Sequence, residues 1–147
     1  MHYFAYGSNL NKDDLVQWCN VRGYKIPELL NPHILRLKNY VIDFTRKSIS
    51  RDGGVADIIY SNGDFCYGIV FDVTEEELKV IDKKEGVKVG AYRRFNITDS
   101  MMSYEVVEKT TFVQPSSKYI DLIVEGAKHY DLPPSWIEKL ESFKKID

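Results

Sequence analysis

The chain has 147 residues, the span of one domain, and its 44% hydrophobic and 29% charged residues make an ordinary globular composition. With 20 basic and 22 acidic residues the net charge is −2, and no basic run occurs, which argues against nucleic acid as the main partner. No apolar run approaches membrane-spanning length, and the short apolar start lacks the basic leader of a signal peptide.

Tyr3 to Tyr6 is an aromatic, strand-like run, and Gly7-Ser8-Asn9 is a turn cluster. Asn11 caps the helix that follows, with Asp13 and Asp14 in its first turn. Strand, tight glycine loop and helix N-terminus in that order aim backbone N–H groups into a shared concavity. Such a loop can hold a carboxylate, a phosphate or the oxyanion of a reacting carbonyl; the plain alternative is an ordinary strand-to-helix turn. The helix runs from about Lys12 to Arg22, with Leu15, Trp18 and Cys19 on one face and Gly23 as its stop. Pro27 and Pro32 bracket a connecting segment. Ile34–Leu37 and Tyr40–Phe44 read as strands about a Lys38-Asn39 turn. The polar segment Lys47–Gly54 reads as a mobile loop. Val55–Tyr60 and Phe65–Val73 read as a strand pair about a Ser61-Asn62-Gly63-Asp64 hairpin turn.

Thr74 to Glu77 is a capping box, and Gly86 ends the helix it opens. At about 100° per residue, Leu78, Ile81, Asp82 and Glu85 share one face, with Lys79, Lys83 and Lys84 on the other. Glu85 thus ends an apolar stripe, where poor solvation raises a carboxyl pKa and makes the group usable as a proton carrier. The helix dipole disfavours an acid at this end, and a frayed terminus reaching water is the plain alternative. Asp82, beside Glu85, reads either as a carboxylate supporting it or as a solvated helix residue, the second being favoured. Tyr92–Thr98 and Tyr104–Gln114 are further strands, separated by Asp99–Ser103. Pro115 breaks the sheet, and Ser116 or Ser117 caps a helix to about Tyr130 that buries Ile120, Ile123, Val124 and Ala127. Pro133-Pro134 opens a last helix bearing Trp136, Ile137, Leu140 and Phe143. About six strands and four helices in mixed order make an α+β domain spanning residues 1–147, not alternating βαβ units.

Cys19 and Cys66 lack Cys-x-x-Cys spacing and read as reduced, buried thiols of a cytoplasmic protein. His2, His33 and His129 have no metal-ligand spacing, and neither a P-loop nor a dinucleotide fingerprint occurs, so no metal or cofactor is expected.

Three motifs, in order and spacing, resemble the γ-glutamyl cyclotransferase family. They are Tyr6-Gly7-Ser8-Asn9, Glu85-Gly86 within the string Glu85 to Tyr92, and Pro115-Ser116-Ser117-Lys118-Tyr119. Glu125-Gly126-Ala127-Lys128 followed by Leu132-Pro133 is similar to that family's C-terminal helical region, so the likeness spans roughly Tyr3 to Leu140. It implies a small, mostly antiparallel β-barrel flanked by helices. It also implies an intramolecular reaction: the α-amino group of a γ-glutamyl amide attacks its own side-chain carbonyl, 5-oxoproline forms and the amine leaves. Glu85 is then the proton carrier, and the backbone of Gly7, Ser8 and Asn9 the oxyanion donor. The stretch Tyr3, Phe4, Ala5, Tyr6, Gly7 and Ser8 lines the substrate's amino-acid end, with Asn9, Tyr92 and Tyr119 as further contacts. No nucleophilic cysteine or metal is required, since the substrate attacks itself. The expected partner is a small γ-glutamyl molecule, without nucleic acid or membrane; a homodimer stays open. The loop at Arg46–Gly54 departs from the family pattern, so the identity of the leaving amine stays open. Two rivals stand beside this reading. A non-catalytic metabolite sensor of the same fold would not need Glu85, and a thiol enzyme lacks a partner histidine pattern.

Overall fold

The sheet is organised around one long hairpin. In the computed structural model of residues 1–147, β2 (Leu30–Ser48) and β3 (Gly53–Asp72) pair antiparallel along almost their full length. The remaining strands are β1 (His2–Ala5), β4 (Tyr92–Asn96) and β5 (Met101–Val106). The helices are α1 (Lys12–Arg22), α2 (Glu75–Glu85), α3 (Ser117–His129) and α4 (Pro134–Glu141).

The two expected turns inside this hairpin are bulges within continuous strands. Pairing runs from Lys38–Phe65 to Tyr40–Tyr60, so residues 61–64 fold outward opposite Asn39. Asn39 is left-handed at φ 68°, Gly63 at φ 89°, and the Asn39 side-chain Oδ1 accepts from the Gly63 N–H at 3.0 Å. Asn and Gly supply left-handed backbone to a bulge as readily as to a turn, which is why the dipeptide signal misleads here. The true reversal is Ile49–Asp52, inside the expected mobile loop, closed by Asp52 N–H donating to Ile49 O at 3.1 Å.

The strand order is β2-β3-β1-β5-β4, with β1 antiparallel to β3 and parallel to β5. This is an open, five-stranded mixed sheet, so the expected six-stranded barrel is corrected. The two edges meet only through side chains, as where Tyr40 of β2 faces Phe95 of β4 with ring centroids 6.1 Å apart. β5 begins at Met101 and ends at Val106. The rest of the expected strand runs irregularly beside β2, where Thr110 N–H donates to Thr45 O and Val113 N–H to Phe44 O, each at 2.8 Å. That drape occupies backbone acceptors of an edge strand.

The helix signals hold closely. Asn11 caps α1 through Asp14 N–H, Thr74 and Glu77 close the capping box of α2, and Ser116 caps α3 through Tyr119 N–H. Leu78, Ile81, Ile120, Ile123 and Leu140 are fully buried with Phe4, Phe44 and Phe71 of the sheet. Cys19 and Cys66 are buried and unpaired, and burial pushes both thiols up. One glycine sets the position of the first loop. A Cβ at Gly126 of α3 would lie 2.4 Å from the carbonyl carbon and oxygen of Leu10 and 2.8 Å from Asn11 N. Its absence lets α3 lie against the backbone that follows β1, and Asn11 Nδ2 donates across the contact to Leu122 O at 3.1 Å. No helix is long and apolar enough to cross a membrane.

Candidate functional site

β1 ends at Ala5, and the chain then tightens into a 3-10 turn at Ser8–Leu10. Leu10 N–H donates to Gly7 O at 3.0 Å and Asn11 N–H to Ser8 O at 2.9 Å. The N–H groups of Gly7, Ser8 and Asn9 donate to no protein acceptor. These three residues line a pocket together with Tyr3, Tyr6, Ala56, Glu85, Tyr92, Ser103, Tyr104 and Tyr119. A Cβ at Gly7 would stand 3.3 Å from Ala56 Cβ and 4.0 Å from the Tyr119 hydroxyl, so any side chain there intrudes on the pocket.

Two tyrosines hold the backbone of one residue, Ala56, on the pocket wall. The Tyr119 hydroxyl accepts from Ala56 N–H at 3.1 Å, and the Tyr92 hydroxyl donates to the Ala56 carbonyl. The hydroxyl proton of Tyr119 is therefore free, and Tyr92 keeps its lone pairs. Burial pushes the Tyr119 hydroxyl up to about 12 and raises those of Tyr3, Tyr6 and Tyr92, so all four stay protonated at neutral pH.

Glu85 closes α2 beside Gly86, whose left-handed φ of 68° ends the helix. Asn9 Nδ2 donates both to Glu85 Oε1 and to the Tyr3 hydroxyl, at 2.8 Å each. Glu85 Oε2 has no protein donor. Glu85 keeps some exposed surface but is packed round by protein. That burial raises its carboxyl above the ordinary range, although Lys84, Arg51 and the Asn9 amide oppose it.

The expected site residues thus gather at one pocket, except Phe4 and Ala5. Side chains alternate along a strand. Phe4 points to the opposite face and packs fully buried against Gly68, while Ala5 shares the face of Tyr3 but is too short to reach. Asp82 is also not the solvated residue its position suggested. It receives the Arg94 guanidinium through two bonds of 2.7 Å and the Tyr104 hydroxyl at 2.6 Å, and Tyr104 packs edge-on against Tyr3. The helical spacing puts Lys84 on the face away from Leu78 and Ile81. Its stem instead curls back, leaving the side chain 4% exposed, and its ammonium meets Ser8, Asn9 and Asp14. A last-turn lysine beside a glycine stop is the only sequence cue to this, and it is a weak one. Arg51, from the expected mobile loop, bonds both oxygens of Asp14.

The pocket opens into a groove lined by Trp18, Val21, Arg46, Lys47, Ile49 and Lys118, among others. None of these three cations has an ion-pair partner.

A model of the AIG2-like family matches residues 66–140. A γ-glutamylcyclotransferase from Bos taurus is 33% identical over 99% of this chain and 79% of its own length. One from Homo sapiens is 30% identical over the same shares. A solved structure of a γ-glutamyl cyclotransferase superimposes with a TM-score of 0.80 at 30% identity, covering 99% of this chain and 89% of that one. The chain belongs to the γ-glutamylcyclotransferase family.

Proposed function

We propose that the protein is an enzyme that cyclises γ-glutamyl amides to 5-oxoproline and releases the amine, with Glu85 as its proton carrier. The observation that carries this reading is a carboxylate with one oxygen engaged by Asn9, facing three consecutive unpaired backbone N–H groups across a tyrosine-walled pocket.

The reaction needs a deprotonated amine, a stabilised oxyanion and a proton for the leaving group. Glu85 Oε2 takes a proton from the substrate's α-ammonium, and the freed amine attacks the γ-glutamyl carbonyl. A bond forms between the α-nitrogen and the carbonyl carbon, and the oxyanion is met by the N–H groups of Gly7, Ser8 and Asn9. Each such donor is worth about 3–4 kcal/mol in analogous sites. Glu85 returns that proton to the departing nitrogen, takes the second proton from the new ring nitrogen as the old carbon–nitrogen bond breaks, and gives it up to the released amine, which leaves as an ammonium. The hydroxyl protons of Tyr3 and Tyr119 suit the substrate's α-carboxylate, and the lone pairs of Tyr92 suit its ammonium. Folding the glutamyl chain into reach of its own carbonyl supplies most of the remaining acceleration.

The leaving amine points into the groove, where Arg46, Lys47 and Lys118 favour one that carries a carboxylate. Buried, unpaired thiols suit a reducing, cytoplasmic setting. The test is 5-oxoproline release over paired substrates, each γ-glutamyl amino acid against the γ-glutamyl derivative of its decarboxylated amine. The reading expects turnover, faster for the carboxylate-bearing member. Binding of γ-glutamyl compounds without release of 5-oxoproline would make the protein a sensor instead.

A further inference from the structure

Asp14, Arg51 and Lys84 come from three separate elements and meet beside Glu85 without entering the cyclisation. Asp14 lies in the first turn of α1, Arg51 at the tip of the β2–β3 hairpin and Lys84 in the last turn of α2. Asp14 Oδ1 accepts from Arg51 Nη1 at 2.9 Å, and Oδ2 accepts from Arg51 Nη2 at 2.8 Å and from Lys84 Nζ at 3.1 Å. Lys84 Nζ also donates to Ser8 Oγ at 3.2 Å and Asn9 Oδ1 at 2.8 Å, so three acceptors meet the three donors of an ammonium.

This arrangement decides which way the Asn9 amide faces. The two ends of a carboxamide are almost the same shape, and only their partners distinguish them. A lysine can only donate, so the end of Asn9 next to Lys84 has to be the oxygen. The NH2 end then faces Glu85 and Tyr3, where acceptors wait at 2.8 Å. Turned over, the amide would set its oxygen against the carboxylate. We propose that Asp14 is a positioning residue for Glu85: it holds Lys84 and Arg51 in place, so that Lys84 orients Asn9 and neither cation collapses onto the catalytic carboxylate. This rests on the assignment of Glu85 as the proton carrier.

The charge balance supports the same role. The groups facing Glu85 are Tyr3 from β1, Tyr6 and Asn9 from the loop after it, Asp14 from α1, Arg51 from the hairpin tip, Tyr92 from β4, Tyr119 from α3 and Lys84 on its own helix. Burial raises the Glu85 carboxyl, Lys84 and Arg51 lower it, and Asp14 raises it. Burial alone would raise Asp14 too, but Arg51 and Lys84 outweigh that and hold it below the usual carboxylate range. At neutral pH Asp14 is therefore charged and neutralises cations that would otherwise act on Glu85 alone.

The experiment compares Asp14→Asn with Lys84→Met. Glu85 is titrated directly through its ¹³C-labelled side-chain carboxyl, alongside the pH profile of kcat/KM on a γ-glutamyl amino acid. In Asp14→Asn the titration and the acid limb both move to lower pH, and plateau turnover falls by about 10–100-fold as Asn9 loses its fixed orientation. In Lys84→Met they move to higher pH, because a cation has gone. A structural role alone would lower thermal stability in both variants and leave the titration where it stands. Unmoved titrations, or movement in the same direction in both folded variants, overturn the proposal. The carboxyl titration needs no turnover, so it reads this outcome even if Glu85 is not the proton carrier. Failure of that assignment shows separately, as activity surviving in Glu85→Gln.

Discussion

Gly126→Ala separates a rule of sequence from a fact of packing. Gly126 lies within α3, at the start of its last turn, where replacing glycine by alanine ordinarily stabilises by up to about 1 kcal/mol. Here the added Cβ would stand 2.4 Å from the carbonyl of Leu10, about 1 Å inside ordinary contact. The obstacle is backbone and cannot rotate away, so the cost belongs at the upper end of overpacking, about 3 kcal/mol. The net effect is a loss of about 2 kcal/mol, which lowers the Tm of a domain this size by about 4–8 °C. Relief requires α3 and the Leu10–Asn11 backbone to separate. Since α3 carries Tyr119 and the loop carries Gly7 to Asn9, the two walls of the pocket part by the same motion. A displacement of about 1 Å costs about 10²-fold in rate. Thermal unfolding by circular dichroism and 5-oxoproline release on one preparation read both effects. A variant that melts at or above the wild-type temperature with normal turnover would refute the argument that this contact sets the loop.

Tyr119→Phe leaves the Ala56 N–H without an acceptor, so the variant loses about 1–3 kcal/mol by denaturant titration, and its kcat/KM falls as the free hydroxyl donor disappears. Normal activity in the variant would remove Tyr119 from the substrate contacts. Stability also depends on pH through Glu85, whose carboxyl is raised above its unfolded value by burial. Such a group costs stability once it ionises. The stability of the wild type relative to Glu85→Gln therefore falls as pH rises from the unfolded carboxylate range through the raised folded value, and stays lower above it. Denaturation curves of both proteins from acid to neutral pH check this, and a constant difference would show that Glu85 is not perturbed.

Local signals in the sequence carry most of the fold. Each helix announces itself through a cap or a proline, and the amphipathic stripes of α2 and α3 are buried as their spacing requires. What misleads is non-local. The Asn39 and Gly63 signals are the same whether they make a turn or a bulge, and only the opposing strand decides between them. Sheet closure depends on whether β2 and β4 hydrogen-bond, which no single segment encodes. The pocket follows the same division. The glycine loop and Glu85 stand out because their residue types are unusual for their positions. Lys84, Arg51 and Asp14 look like surface charges, and they become part of the site only when three distant elements converge.

The most direct test of the account is 5-oxoproline release by Glu85→Gln, with ligand affinity measured on the same folded protein. Glutamine keeps the shape and can still meet the Asn9 amide, but it cannot take the ammonium proton. The account predicts a rate loss of about 10²–10⁴-fold with γ-glutamyl binding retained. It also predicts a wild-type rate that rises with pH through a carboxyl lifted above the ordinary glutamate range. A Glu85→Gln enzyme that still cyclises its substrate at the wild-type rate would contradict the account at its centre.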